Sequence, residues 1–233
     1  TLLAAVAREV QKEKTRCVLL DSPVVPRAEV LQAEEIARDY GLALDIIEIP
    51  LMRSAEFRMN PADRCYHCRK ISAGHLKKLA AERGLVCIAD GINLSDTGEH
   101  RPGLLASTEE GIVHPFIEAG ITKQDIRDIA RERGLTVWDK PSAACLASRI
   151  PYGDAITASK LQRIEDAEAY LAGLGINQLR VRLHGNLARI EVHKEKRGKI
   201  LEQEPAVVRH LKSLGFTYIT LDLEGYRSGS MDE

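Results

Sequence analysis

Three cysteines in two unlike settings are the residues best suited to chemistry. Cys65 and Cys68 form a C-x-x-C pair within Asn60-Pro61-Ala62-Asp63-Arg64-Cys65-Tyr66-His67-Cys68, and Cys145 follows far downstream in Lys140-Pro141-Ser142-Ala143-Ala144-Cys145-Leu146-Ala147-Ser148-Arg149. A tight pair presents two thiolates to one centre, and a remote third thiolate is an unfinished coordination set. Structural zinc closes four ligands, whereas three protein ligands leave a position open for chemistry. Four-iron clusters are normally held by four cysteines, so a three-cysteine cluster leaves one iron free to bind something else. Zinc, cluster and disulfide all remain open from this spacing. His67, between the two ligands, is expected to point away. Cys17 and Cys87 sit in apolar, strand-like runs and are expected to be inert core residues.

Other groups surround this set. Asp90-Gly91-Ile92-Asn93 closes an apolar run with small and polar residues, a frequent nucleotide-site position and also a generic turn. Asp96 is suited to magnesium through oxygen, or to an ordinary turn. Arg101-Pro102-Gly103 sets a guanidinium in an extended turn, where a surface ion pair is the plainer reading. Ser148 and Arg149 follow Cys145 by three and four residues. Arginine forks suit phosphate, and Arg180 and Arg182 fall on one strand face. The alternative for that pair is a solvated face ion-paired to Glu191.

The elements that must position these groups alternate from residue 15 onward. Arg16 to Asp21 reads as a strand, Pro26 to Tyr40 as a helix stopped by Gly41, and Leu42 to Ile49 as a strand. A loop over 52–63 leads to a helix from Cys65 to Arg83. Leu85 to Ala89 is expected to be a third strand and Leu135 to Trp138 a fourth, with a Thr122/Asp125 capping box between them. Such alternation argues for an α/β fold with a parallel sheet covered on both faces and ligands outside the carboxyl ends of its strands. After Tyr152 the pattern changes to a helix (Thr157 to Gly173), a hairpin turning at Gly185-Asn186, a helix and a strand. Leu179, Val181 and Leu183 alternate with Arg180, Arg182 and His184, so one wet sheet face is expected. This predicts two domains, 1–152 and 153–233.

The chain has 233 residues, 44% hydrophobic and 29% charged, with a net charge of -1. That balance supplies no global basic field for nucleic acid. Five scattered cysteines do not make a secreted disulfide scaffold, which points to a cytoplasmic protein. No apolar run or signal peptide predicts a membrane association. Leu2, Leu3, Val6 and Val10 recur at helical spacing, and in an alternating chain such a helix normally follows a strand and a phosphate-facing loop.

Taken together, Asn60-Pro61-x-Asp63-Arg64-Cys65-Tyr66-x-Cys68, Asp90-Gly91-x-Asn93, Arg101-Pro102-Gly103, the run from Lys140 to Gly153, Arg180-Val181-Arg182-x-His184-Gly185 and the stretch from Leu221 to Met231 resemble the LarE family. These are ATP-dependent sulfur transferases that build the nickel-pincer nucleotide of lactate racemase. The resemblance implies an N-type ATP pyrophosphatase domain followed by a small α+β domain, with the nucleotide loop Ser-Gly-Gly-Val-Asp-Ser directly preceding Thr1. It implies adenylylation of a carboxylate of a pyridinium-dicarboxylate mononucleotide and replacement of the activated oxygen by sulfur, with ATP and Mg2+. It places Asp90, Gly91, Asn93, Asp96 and Arg101 at the nucleotide and Ser148, Arg149, Arg180 and Arg182 on the substrate phosphate. In one branch the cysteine matching Cys145 gives up its sulfur. In the other a 4Fe-4S cluster is held by three cysteines, here Cys65, Cys68 and Cys145. Homo-oligomers such as hexamers are expected. The rivals are a tRNA thiolase of similar fold and a zinc-stabilised, non-catalytic nucleotide-binding module.

Overall fold

The apolar stripe of the first helix finds its partners well along the chain. In the computed structural model, which describes residues 1–98, 101–140, 144–227 and 231, Leu2 of helix α1 (Leu2–Gln11) is buried with Phe116, Ala130 and Leu135. Leu3, Val6, Ile126 and Ile129 pack against that cluster. Strand β1 (Cys17–Asp21) and strand β2 (Leu44–Glu48) pair in parallel from Cys17 opposite Leu44 to Asp21 opposite Glu48. Helix α2 (Arg27–Asp39) makes the crossover that a parallel pair requires, and Gly41 ends it at a φ of 60°. A short helix α3 (Ala55–Arg58) breaks the stretch expected to be loop, because Phe57 is buried and the Ser54 hydroxyl accepts from its amide.

Helix α4 (Arg64–Glu82) carries the cysteine pair, and α5 (Pro102–Glu109), α6 (Pro115–Glu118) and α7 (Lys123–Glu132) follow. The Thr122 box forms as expected: its hydroxyl accepts from the Asp125 amide at 3.2 Å, and the Asp125 carboxylate accepts from the Thr122 amide at 2.9 Å.

Two expected strands are absent as strands. Leu85 to Ala89 makes only one parallel bridge, Ala89 to Val113, and Val86 projects fully into solvent. A short apolar run becomes a strand only where a neighbouring backbone completes its ladder. Leu135 to Trp138 is a series of turns, held by the Leu135 amide on Ala130 O and the Trp138 amide on Leu135 O. Its apolar character serves the α1/α7 cluster through Leu135 instead.

The chain forms two units. The first comprises Thr1–Ser22, Arg27–Phe57 and Pro61–Ser142, and the second Pro23–Pro26, Arg58–Asn60 and Ala143–Glu233. In the second, helix α8 (Ala158–Gly173) buries Leu161, Ile164, Ala167 and Leu171, the stripe its sequence period predicts. The Thr157 hydroxyl accepts from the Lys160 amide at its N-terminus. Strands β3 (Leu179–His184) and β4 (Leu187–Val192) form the antiparallel hairpin, with Gly185 at a φ of 58°. Helices α9 (Arg197–Glu202) and α10 (Glu204–Ser213) lead to β5 (Tyr218–Leu221), which joins β4 in parallel. Leu179, Val181, Leu183, Ala188, Ile190 and Val192 are all buried.

The other face of this sheet is not wet. Arg180 and Arg182 are 9% and 5% exposed, and Glu191 is 0% exposed. The turn after Cys145, Tyr226 and Met231 cover them: Arg182 donates to Ser148 O, the Arg180 guanidinium lies over the Tyr226 ring, and Arg189 meets Met231 Sδ. Among the described residues no helix is long and apolar enough to cross a membrane.

Candidate functional site

Cys65 and Cys68 occupy the first turns of α4, three residues apart on one helical face. Cys65 is exposed and Cys68 half-buried, and both are thiols. A helix N-terminus collects partial positive charge from its unsatisfied amides, which suits bound negative charge. The start of α5 runs against this turn: a Cβ on Gly103 would stand 3.6 Å from the Cys65 carbonyl oxygen and 3.8 Å from its Cβ. Tyr66 donates to Glu109, and Lys70 pairs with Glu109 and Glu110, so ion pairs tie α4 to α5 just past the cysteines. Lys70 and Lys77 hold the Glu110 carboxyl down to about 2. Cys87 is exposed rather than in the core, because the run around it makes no strand. Cys17 is half-buried in β1, and burial pushes its thiol up.

The acidic loop residues belong to the same unit. Asp90 accepts from the Ile92 amide, faces His114 Nδ1 at 2.8 Å and lies 3.6 Å from Arg69, the residue after Cys68. Asp96 accepts from the Asn93 amide at 3.1 Å and from Asn93 Nδ2 at 2.7 Å, and pairs with Arg101 at 2.9 Å. The Asn93 side-chain oxygen Oδ1 accepts from the Ser95 amide in turn. A loop knitted this way has fixed backbone amides and an anchored carboxylate. His114 and Arg69 were not singled out from the sequence; each lies within reach of Asp90 only through folding.

Cys145 belongs to the second unit, exposed at the N-cap of a 3-10 turn, Leu146–Arg149. The residues after it are deeply buried: Leu146 1%, Ala147 0%, Arg149 2% and Ile150 1%. The Leu146 amide donates to Val24 O at 2.8 Å. Asn60, buried at a φ of 54°, donates its side-chain amide to the carbonyls of Ile150, Pro151 and Asp154. Arg149 donates Nε and Nη2 to the two carboxylate oxygens of Glu168 at 3.0 and 2.9 Å. Its Nη1 serves Ala144 O, Cys145 O and Ser148 Oγ. Arg182 grips Glu191 through Nε and Nη2, each at 2.9 Å, and sends Nη1 to Ser148 O. Arg189 takes the other Glu191 oxygen and faces Asp222. Burial, and after it the Arg149 charge, press Arg180 below the ordinary arginine value. Glu168 was not singled out from the sequence. Its signal was a carboxylate lying next to the buried α8 stripe.

Cys65, Cys68, Asp90, Asn93, Asp96 and Arg101 thus share one unit, and Cys145, Ser148, Arg149, Arg180 and Arg182 the other. Among the described residues no three His, Cys, Asp or Glu side chains are gathered as a metal site. Residues 141–143 and 228–230, parts of two quoted motifs, lie outside the described residues.

No protein-family model matches the chain. An uncharacterized protein of Synechocystis is 38% identical over 234 residues, covering 100% of this chain and 87% of the relative. An uncharacterized protein of Methanocaldococcus jannaschii is 31% identical over 92% of this chain and 82% of the relative. The pyridinium-3,5-bisthiocarboxylic acid mononucleotide synthase of Lactiplantibacillus plantarum is 34% identical over 100% of this chain and 85% of its own length. With that identity sustained from end to end, the chain belongs to the LarE family.

Proposed function

We propose that the protein is an ATP-dependent sulfur transferase that converts a carboxylate of pyridinium-3,5-biscarboxylic acid mononucleotide to a thiocarboxylate. The full-length identity to the Lactiplantibacillus plantarum synthase carries this reading. Its first unit is proposed as an N-type ATP pyrophosphatase domain. A carboxylate cannot expel oxide, so its oxygen first attacks the ATP α-phosphorus, and pyrophosphate leaves. Sulfide then adds to the acyl-adenylate carbon, and AMP leaves. The knitted loop of Asp90, Gly91, Asn93 and Asp96, with Arg101 beside it, orients the nucleotide, and Asp96 would hold Mg2+ in place of its Arg101 partner.

The donor set fits an iron–sulfur centre in kind: Cys65, Cys68 and Cys145 are soft thiol ligands, and each stands at the start of a helical turn. A 4Fe-4S cluster held by these three would supply replaceable sulfide. Among the described residues, Arg149 pairs with Glu168, Arg182 and Arg189 with Glu191, and Arg189 also faces Asp222. Ser148 and Arg180 are the proposed grip on the substrate phosphate, and Arg182, whose three nitrogens serve Glu191 and Ser148 O, holds the turn beside them.

The exposure of Cys145 favours a second sulfur source, the thiol itself. One experiment separates the readings. Anaerobically prepared protein is assayed for iron and sulfide, incubated with ATP and substrate, and its Cys145 peptide is weighed. Iron lost in Cys65→Ala, with repeated turnover and an intact Cys145, supports the cluster. Dehydroalanine at 145 supports sacrifice of the thiol. Zinc without product, or thiolation of tRNA in place of the pyridinium nucleotide, refutes the proposal.

A further inference from the structure

The turn that presents Cys145 is four residues long, and an isolated 3-10 turn of that length has little stability of its own. Its carbonyl oxygens are nevertheless occupied by buried, charged donors. Glu168 is fixed first: it projects from α8, and its Oε1 accepts from the Val181 amide of β3 at 2.9 Å. Its two oxygens then take Nε and Nη2 of Arg149 in a fork-to-fork pair, a geometry that sets the guanidinium plane as well as its position. Nη1 is left pointing at the entry to the turn, where it donates to Ala144 O at 2.8 Å, Cys145 O at 3.0 Å and Ser148 Oγ at 3.1 Å. Arg182 secures the far end through Ser148 O.

We infer that Glu168 and Arg149 are positioning residues that hold the Cys145 backbone in place, and that Arg149 acts on the thiol turn rather than on a substrate phosphate. Arg149 is 2% exposed, and its donors on all three nitrogens point at protein acceptors. The inference deepens the proposed reaction, in which Cys145 delivers or ligates the sulfur, and it assigns a role to a carboxylate that the motif did not include. A lysine at 149 carries the charge but cannot fork to Glu168 and reach two carbonyls together.

The test is peptide-resolved alkylation by iodoacetamide of the reduced protein and of its Glu168→Gln and Arg149→Lys variants. Because the Cys145 thiol is already exposed, release of its backbone carbonyl is expected to alter the Cys145 alkylation rate severalfold by changing the thiol's surroundings rather than its access. Half-buried Cys17, in the other unit, serves as the internal reference and is expected to keep its rate. An unchanged Cys145 rate in both folded variants overturns the inference. So does an equal change at Cys17, which marks general loosening. If the variants fail to fold, hydrogen exchange of the unaltered protein decides. The Leu146, Ser148 and Ile150 amides, which donate to Val24, Cys145 and Ala147, are expected to exchange slowly, and exchange at unprotected-chain rates overturns the clamp. In product assays, the variants are expected to lose single-turnover rate with ATP affinity kept. A wild-type protein that makes no thiocarboxylate refutes the proposed reaction while leaving the alkylation result to judge the clamp.

Discussion

Replacing Glu191 by methionine is expected to destabilise the second unit more than any surface change can. The carboxylate is 0% exposed and neutralises two guanidinium groups, Arg182 through two 2.9 Å contacts and Arg189 through one. Methionine fills a similar volume, so the cost is electrostatic: two cations face each other beside a sheet whose other face is apolar. Removing one partner of a buried pair typically costs about 3–5 kcal/mol, whereas replacing both with apolar groups is often neutral. Glu191→Met is therefore expected to lose about 3 kcal/mol. With a urea slope of about 2 kcal/mol/M, the midpoint falls by about 1.5 M. Arg182→Met is milder, since Arg189 still faces the carboxylate. The double variant recovers part of the loss, with a coupling of about 2 kcal/mol. Urea titrations followed by far-ultraviolet circular dichroism on the four proteins complete the cycle. A Glu191→Met cost below about 1 kcal/mol, or a double variant additive within about 0.5 kcal/mol, refutes the reasoning.

Gly225→Ala is expected to dislodge the Tyr226 ring from Arg180, because φ is +83° and the new Cβ would sit 2.5 Å from Val192 O; loss of near-ultraviolet tyrosine dichroism and a drop of about 1–3 kcal/mol check it. Thr122→Ala removes one half of the α7 capping box and is expected to cost about 1 kcal/mol, read as a lower melting temperature. His184 is held below its ordinary value of 6.5 by burial first and then by the Arg189 charge, with Arg182 adding to it and Asp154 and Glu191 opposing. The unfolded chain then takes up the proton before the folded one does. This stabilisation is present above pH 6.5 and lost as pH falls from there through the lower folded value, so His184→Met is expected to flatten the fall in melting temperature below pH 6.5.

What could be read from sequence alone was whatever one segment determines for itself. The α8 stripe, the Thr122 box, the Gly41 stop and the hairpin at Gly185 follow from periodicity, local side-chain hydrogen bonding and backbone freedom. Whether Leu85 to Ala89 is a strand depends on a neighbour, and among the described residues only Val113 bridges to it. The alternation around Arg180 and Arg182 correctly set one face apolar. It carried no information on what covers the other, because the cover arrives from Ser148, Tyr226 and Met231, far away in the chain. The same limit hid Glu168. A charged residue beside a buried stripe looks like surface until the arginine it grips is known, so the motif arginine at 149 suggested a ligand rather than a carboxylate partner.

The staple formed by Asn60 governs how this protein can be cut. The last ninety or so residues look like an independent module, yet a fragment starting at Ala144 would lose the amide serving Ile150, Pro151 and Asp154, the Val24 carbonyl under Leu146 and the Arg58 carbonyl under Ile156. Such a fragment would keep the hairpin, α8 and the Arg149 and Arg182 bonds to the thiol turn, but lose the outer contacts that brace Leu146, Ile150, Pro151, Asp154 and Ile156. Mixing the fragment with a peptide spanning residues 58–60 cannot restore the lost contacts at ordinary concentrations, since three residues bury too little surface to bind. Swapping this module between relatives therefore means transplanting three separate pieces of sequence together.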